Sequence, residues 1–172
     1  EGVYIGGENV SAFEQRITTF TGSKYCIALN SGTDALLLSL IALGIKKGDK
    51  VIVPSFTFFS TVEVVMHLEA VPIFVDINTD TYTINIEDFK NKVNKTIKAV
   101  IPVHLAGSPC DMESIKKLAD IYKFFVIEDA SHAIGSSYRS SPVGSCQFSD
   151  MAVFSFHPVK IVTTGEGGAV TT

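Results

Sequence analysis

The 172-residue chain predicts an α/β fold, a doubly wound open sheet with helices on its faces. Three observations carry that expectation. Short β-rich apolar runs alternate with stretches of helical spacing, no linker or internal repeat divides the chain, and polar clusters recur just beyond the apolar runs. The length suits one domain with one well-buried core. In order along the chain, a first helix is expected to begin near Ser11, where Glu14 three residues on completes a capping-box pattern. The run 25–29 reads as a strand, followed by a helix over about 33–43 that Gly44 would stop. A strand at 50–53, a helix over about 58–69 and a strand at 71–75 come next. Asn78-Thr79-Asp80-Thr81 is a turn cluster, after which 86–94 has helical spacing and 98–103 is strand-like. Asp111 is a natural N-cap for a helix over 111–122, and strands are expected at 124–127, 151–154 and 169–171, seven in all.

Composition narrows the function classes. Hydrophobic residues make up 46% and charged residues 19%, the balance of a globular protein rather than a disordered one. Net charge is −4 with the two signs interspersed, so no basic stripe suggests nucleic acid. The apolar runs are short and broken, which argues against a membrane span, and the opening residues Glu1-Gly2-Val3-Tyr4 do not read as a signal peptide. Cys26, Cys110 and Cys146 are odd in number and widely spaced, against a disulfide framework or zinc site; reduced thiols in the cytoplasm are the expectation. The chain opens without Met and stops within an apparent strand, which suggests a piece of a longer protein.

In open α/β sheets ligands gather at the carboxyl ends of strands, and that rule sorts the polar residues. After the first strand comes Asn30-Ser31-Gly32-Thr33-Asp34, which reads either as an ordinary helix cap or as an anion site built on free N–H groups at the dipole's positive end. After the fifth comes Glu128-Asp129-Ala130-Ser131-His132, an acid in a ligand position or another cap. After the sixth come Ser155 and, in a loop, Lys160, followed by Thr163-Thr164-Gly165-Glu166-Gly167-Gly168. Alone, a loop lysine is most often a solvated charge. An amine at a strand's end among small and hydroxyl residues is also what Schiff-base chemistry with pyridoxal phosphate requires. An anion cradle, a carboxylate and an amine together on one sheet edge are a less ordinary coincidence than any one of them.

These residues carry a resemblance that runs through nearly the whole chain. Asn30 to Leu36, Gly48 to Pro54, Pro72 to Ile77, Pro102 to Gly107, Ile127 to Ala130 and Phe154 to Gly168 together resemble the DegT/DnrJ/EryC1/StrS family of sugar aminotransferases, within fold-type I. Phe156-His157-Pro158-Val159-Lys160 is most similar to the members that aminate C4 of a UDP-linked 4-keto-6-deoxy amino sugar in pseudaminic acid synthesis, for cell-surface or flagellar glycans. The resemblance implies a three-layer α/β/α large domain with a mostly parallel sheet of about seven strands. Residues 1–172 would be that pyridoxal 5'-phosphate-binding domain, with an N-terminal segment and a C-terminal small domain lying outside.

Carried over residue by residue, the resemblance makes Lys160 the Schiff-base lysine and Asp129 the partner of the pyridine nitrogen, the two catalytic residues. It places Ser31, Gly32, Thr33 and Ser155 at the phosphate, Phe58 stacked on the cofactor ring and His132 close by, although a structural role for His132 is equally open. His104, His157 and Glu166 are read as pocket support or substrate contacts, and the glycines of 165–168 as a tight turn. No metal is implied. L-Glutamate and a nucleotide-linked keto-sugar would be the substrates, and a homodimer partner would complete the site. Alternatives are a 3-amino or perosamine-type aminotransferase, or a cofactor-binding member with a regulatory role. A related dehydratase carries histidine in place of the lysine, which Lys160 argues against, and a dinucleotide-binding module lacks its GxGxxG after the first strand.

Overall fold

A computed structural model describes residues 6–172. In chain order the elements are α1 (Glu8–Thr21), β1 (Cys26–Leu29), α2 (Gly32–Ala42), β2 (Lys50–Pro54), α3 (Ser60–His67), β3 (Val71–Val75), α4 (Ile86–Lys92), β4 (Ile97–Val100), α5 (Met112–Tyr122), β5 (Phe125–Asp129), β6 (Ser137–Tyr138), β7 (Ser141–Pro142), β8 (Met151–Ser155) and β9 (Gly168–Thr171). Seven strands form one sheet in the order β1-β9-β8-β5-β4-β2-β3. The pairs among β3, β2, β4, β5 and β8 are parallel; β9 runs antiparallel to both neighbours. This is the α/β class that the alternating pattern predicts.

The period-2 geometry of a strand explains why the central runs are apolar throughout. Val51, Val53, Ala99, Ile127, Val153 and Val170 join one buried cluster with residues of α2 and α3. Their neighbours Ile52, Val100 and Val126 point the other way, into a cluster with Phe89 of α4 and Ile115 of α5. Phe154 and Ala169 also face that second side, where they meet Ile17 of α1. Each central strand therefore buries both faces, and no polar alternation is possible.

Several boundaries differ from expectation for identifiable reasons. Helix α1 starts at Glu8, so Ser11 lies inside it and caps nothing; Gly7 occupies the N-cap without a side-chain bond. Glu14 instead accepts the Ala28 N–H of β1 at 2.9 Å, a tertiary bond in place of the local one. Asn85 rather than a residue of the helix caps α4, accepting from the N–H groups of Glu87 and Asp88. The run at 98–103 yields only Ile97–Val100, after which the chain makes an isolated bridge from Val103 to Asp129 and a 3₁₀ turn at Leu105–Gly107. Glu128 and Asp129, expected beyond the fifth strand, are its last two residues, and Ser155 ends β8. The small hairpin β6–β7 is additional; its turn residues Arg139 and Ser140 both have positive φ, with no Asn-Gly to announce it.

Candidate active site

The carboxyl ends of β1, β5 and β8 open onto one cavity of about 470 Å³, within the range of roughly 300–1,000 Å³ usual for small-molecule sites. Ser31, Gly32, Thr33, Phe58, Asp129, His132, Ser155 and Lys160 all line it, so the residues singled out along the sequence share one chamber. His157 and Glu166 stand at its wall as well.

The first wall is the start of α2. Ser31 is the N-cap, its Oγ accepting the Asp34 N–H at 3.0 Å, so the cap reading of this segment holds. The N–H groups of Gly32 and Thr33, in the first turn, have no intrahelical acceptor and remain beside the cavity with the positive end of the helix dipole. Gly32 is required by packing: a Cβ there would lie 2.8 Å from Ser155 Cβ. The close approach brings the hydroxyl of Ser155 next to the free N–H groups. Thr33 Oγ1 donates to Ser60 Oγ at 2.9 Å and ties the starts of α2 and α3 together.

The floor is Asp129, only 5% exposed at the end of β5. Its Oδ1 accepts the Ser131 N–H at 3.2 Å and its Oδ2 accepts the Thr61 hydroxyl at 3.0 Å. Two donors leave lone pairs on both oxygens for a ligand.

Lys160 arrives on a loop whose feet are fixed. Phe156 N–H donates to Gly167 O at 2.8 Å, Thr163 Oγ1 and Thr164 N–H both donate to Phe156 O, and Lys160 N–H donates to His157 O at 2.9 Å. Phe156 itself is buried with its ring edge-on to Phe13, centroids 5.1 Å apart. The ammonium of Lys160 lies 6.0 Å from the centre of the exposed Phe58 ring. Burial pushes the Lys160 pKa below its ordinary value, and the negative charge of Asp129 opposes that shift without cancelling it.

His132 is half-buried at the same cavity. Its Nδ1 accepts the Ala106 N–H at 3.3 Å, which puts the ring proton of the neutral form on Nε2. Ala106 adopts a left-handed conformation, φ 52°, to make that N–H available. Burial lowers the His132 pKa, the Lys160 charge lowers it further, and the Asp129 charge opposes the shift without cancelling it.

His104 stands apart. It is fully buried, does not line the cavity, and bonds Glu128 Oε2 through Nε2 at 2.7 Å while Nδ1 accepts the Cys110 N–H at 3.1 Å. It is a support beneath β5. His157 and Glu166 face each other at 3.6 Å on the rim. Thr57, Ser60 and Thr61 are hydroxyl residues the sequence did not announce: Thr57 and Ser60 line the cavity and Thr61, 1% exposed, holds Asp129 from 68 positions away. A hydroxyl inside an apolar helix carries no motif. Among the described residues no cluster of His, Cys, Asp or Glu could hold a metal ion, and no helix is long and apolar enough to cross a membrane.

The family model for the DegT/DnrJ/EryC1/StrS aminotransferases matches residues 1–172. The chain belongs to this family. It is 42% identical over 166 residues to the GDP-perosamine synthase of Escherichia coli O157:H7, covering 96% of the chain and 45% of that protein. Among solved structures, the aminotransferase of Psychrobacter cryohalolentis superposes with a TM-score of 0.94 at 40% identity, over 98% of this chain and 42% of that one. NtdA of Bacillus subtilis, solved with the cofactor PMP bound, gives a TM-score of 0.90 at 36% identity, over 97% of this chain and 37% of that one. The chain spans less than half the length of the curated relatives it matches.

Proposed function

We propose that the chain is the cofactor-binding large domain of a pyridoxal 5'-phosphate-dependent aminotransferase that moves an amino group from L-glutamate to a nucleotide-linked 4-keto-6-deoxy sugar. The single observation that carries the reading is the convergence of Lys160, Asp129 and the α2 N-terminus on one cavity. Membership of an aminotransferase family supports it, as does the PMP bound by a relative of the same fold.

The donor set fits the cofactor at each of its ends. The N–H groups of Gly32 and Thr33 with the hydroxyls of Ser31 and Ser155 would hold a phosphate, and Gly32 brings no Cβ of its own into that cradle. Asp129 would pair with a ring nitrogen and keep it protonated. Phe58 offers a flat face, and His132 an Nε2–H donor. When bound, pyridoxal phosphate supplies an aldehyde that carries the amino group between substrates and a ring that accepts electrons from a breaking Cα–H bond. Lys160 would hold the aldehyde end of the cofactor through its amine, and the same amine would be the base that moves a proton from the donor's Cα. Burial serves this role, because an amine with a lowered pKa is a free base nearer neutral pH.

For the sugar, the Phe156–Lys160 stretch favours a UDP-linked acceptor, whereas the 42% identity to a GDP-perosamine synthase favours the perosamine-type alternative. A cytoplasmic homodimer, in which the partner and the remaining chain complete the site, accords with both. The test uses the full-length protein. Glutamate should convert its visible chromophore to the pyridoxamine form with release of 2-oxoglutarate, and UDP- and GDP-linked keto-sugars should be separated by product mass. Lys160→Ala should abolish turnover with the fold intact; appreciable transamination by that variant refutes the assignment.

A further inference from the structure

We propose that Thr61 is a positioning residue that keeps the acid and the amine of this cavity apart: its hydroxyl pins the Asp129 carboxylate so that it does not close an ion pair with Lys160. The inference rests on the reading of Lys160 and Asp129 given above.

The geometry is a short chain of hydroxyls. Thr61, buried on α3, donates to Asp129 Oδ2 at 3.0 Å. An ionised carboxylate only accepts, and a hydroxyl has one proton to give. In its 2.9 Å contact with Thr61 Oγ1, Thr57 must therefore be the donor. The direction runs from Thr57 at the cavity wall, through Thr61, to Asp129, while Ser131 N–H holds the other carboxylate oxygen. Both oxygens of the carboxylate are thus held from the protein side.

Lys160 has no comparable restraint. Its backbone is anchored, but among the described residues its ammonium takes part in no ion pair. The titratable and charged groups lining the cavity are Asp129, His132, His157, Glu166 and Lys160 itself. Glu166 faces His157, the Nδ1 of His132 is taken by Ala106, and Asp129 is the group whose charge acts on the amine. Opposite charges in a partly dry cavity attract strongly. A carboxylate free to rotate would close on the lysine, holding it as an ammonium and spending the lone pairs that face the ligand. A threonine at the start of α3 prevents that collapse at no cost in charge.

The test reads the lysine directly and needs no cofactor. Cofactor-free full-length protein is reductively methylated with formaldehyde and borohydride across a pH series, and Lys160 labelling is followed by peptide mass spectrometry. Thr61→Val, which keeps the shape, should raise the half-labelling pH by about one unit, tenfold less free amine at a given pH. Thr61→Ser should follow the wild type, and Thr61→Val with Asp129→Asn should lose the rise and fall below the wild-type half-labelling pH, because the charge that holds the ammonium is gone. Thr57→Val, at a half-buried position outside the core, should shift the profile the same way by less. An unchanged profile in a folded Thr61→Val protein, an equal shift in Thr61→Ser, or a shift that survives Asp129→Asn each overturns the proposal. Adding pyridoxal phosphate to the wild type reads the proposed function separately: absence of a visible band would remove that function while leaving the labelling result to stand or fall alone.

Discussion

Gly168→Ala should be among the most damaging single-methyl changes in the chain, and the structure says why. A Cβ at Gly168 would lie 2.1 Å from Ser31 O, 2.3 Å from Ser31 C and 2.8 Å from Gly32 N. Ordinary contact begins at 3.4 Å, so the worst of these is short by about 1.3 Å. All three atoms are backbone, and neither side can yield. Ser31 O accepts the Ala35 N–H at 3.0 Å as the first bond of α2, and Gly168 is paired with Leu29 on one side and Ser155 on the other. Overpacking costs about 1–3 kcal/mol where side chains can adjust; with only backbone to move, the loss should be about 3 kcal/mol or more. In urea unfolding of the full-length protein the midpoint should fall accordingly, and pyridoxal phosphate affinity should fall with it because the displaced atoms frame the anion cradle. Gly167→Ala is the control. Its Cβ would meet Thr164 Oγ1 at 2.5 Å, an exposed hydroxyl that can rotate away, so the cost should stay within about 1 kcal/mol. The reasoning fails if Gly168→Ala is as stable as wild type, or if the two substitutions cost the same.

Two further outcomes follow from the buried titratable groups. His104→Ala strips a donor from the buried Glu128 carboxylate and should destabilise by about 3 kcal/mol in urea melts, while the absorbance of bound cofactor changes little because His104 does not touch the cavity. Burial pushes the thiols of Cys26 and Cys146 up to about 11, so iodoacetamide at pH 8 should label both only after unfolding. In the unfolded chain these thiols release protons from their ordinary value of about 9, whereas the folded ones hold them to about 11; stability is therefore fully present below 9 and declines towards 11. Cys26→Ala should flatten that decline, as measured by urea midpoints at pH 8 and pH 10.

The parts of this molecule legible in its sequence are those where residue type and strand-end position coincide. Lys160, Asp129 and Ser31 each follow or end an apolar run, and the rule that ligands gather at carboxyl ends was enough to group them. Thr61 escaped because its partner is 68 positions away and a threonine in a helix is ordinary. The Ser11–Glu14 pattern misled for the complementary reason: Glu14 found a better acceptor role on β1 than within its own helix, and local pattern yields to tertiary bonding. The β6–β7 hairpin escaped because Arg139 and Ser140 take left-handed conformations that favour Gly or Asn.

Strand direction is the feature that no apolar run encodes, and the site depends on it. Because β9 is antiparallel to β8, its first residue, Gly168, pairs with Ser155, the last residue of β8. The chain can therefore leave β8 and enter β9 at the same edge of the sheet. Had β9 been parallel, the connection would have had to cross the whole sheet, a crossover of about a dozen residues or more. The antiparallel pairing instead confines residues 156–167 to the cavity rim, with both feet joined by the bond from Phe156 to Gly167. Lys160 lies on that tethered segment, and Gly168 at its far foot presses on the Ser31–Gly32 backbone. One reversed strand thus brings the amine and the anion cradle to the same edge, where the neighbouring parallel strand β5 delivers Asp129.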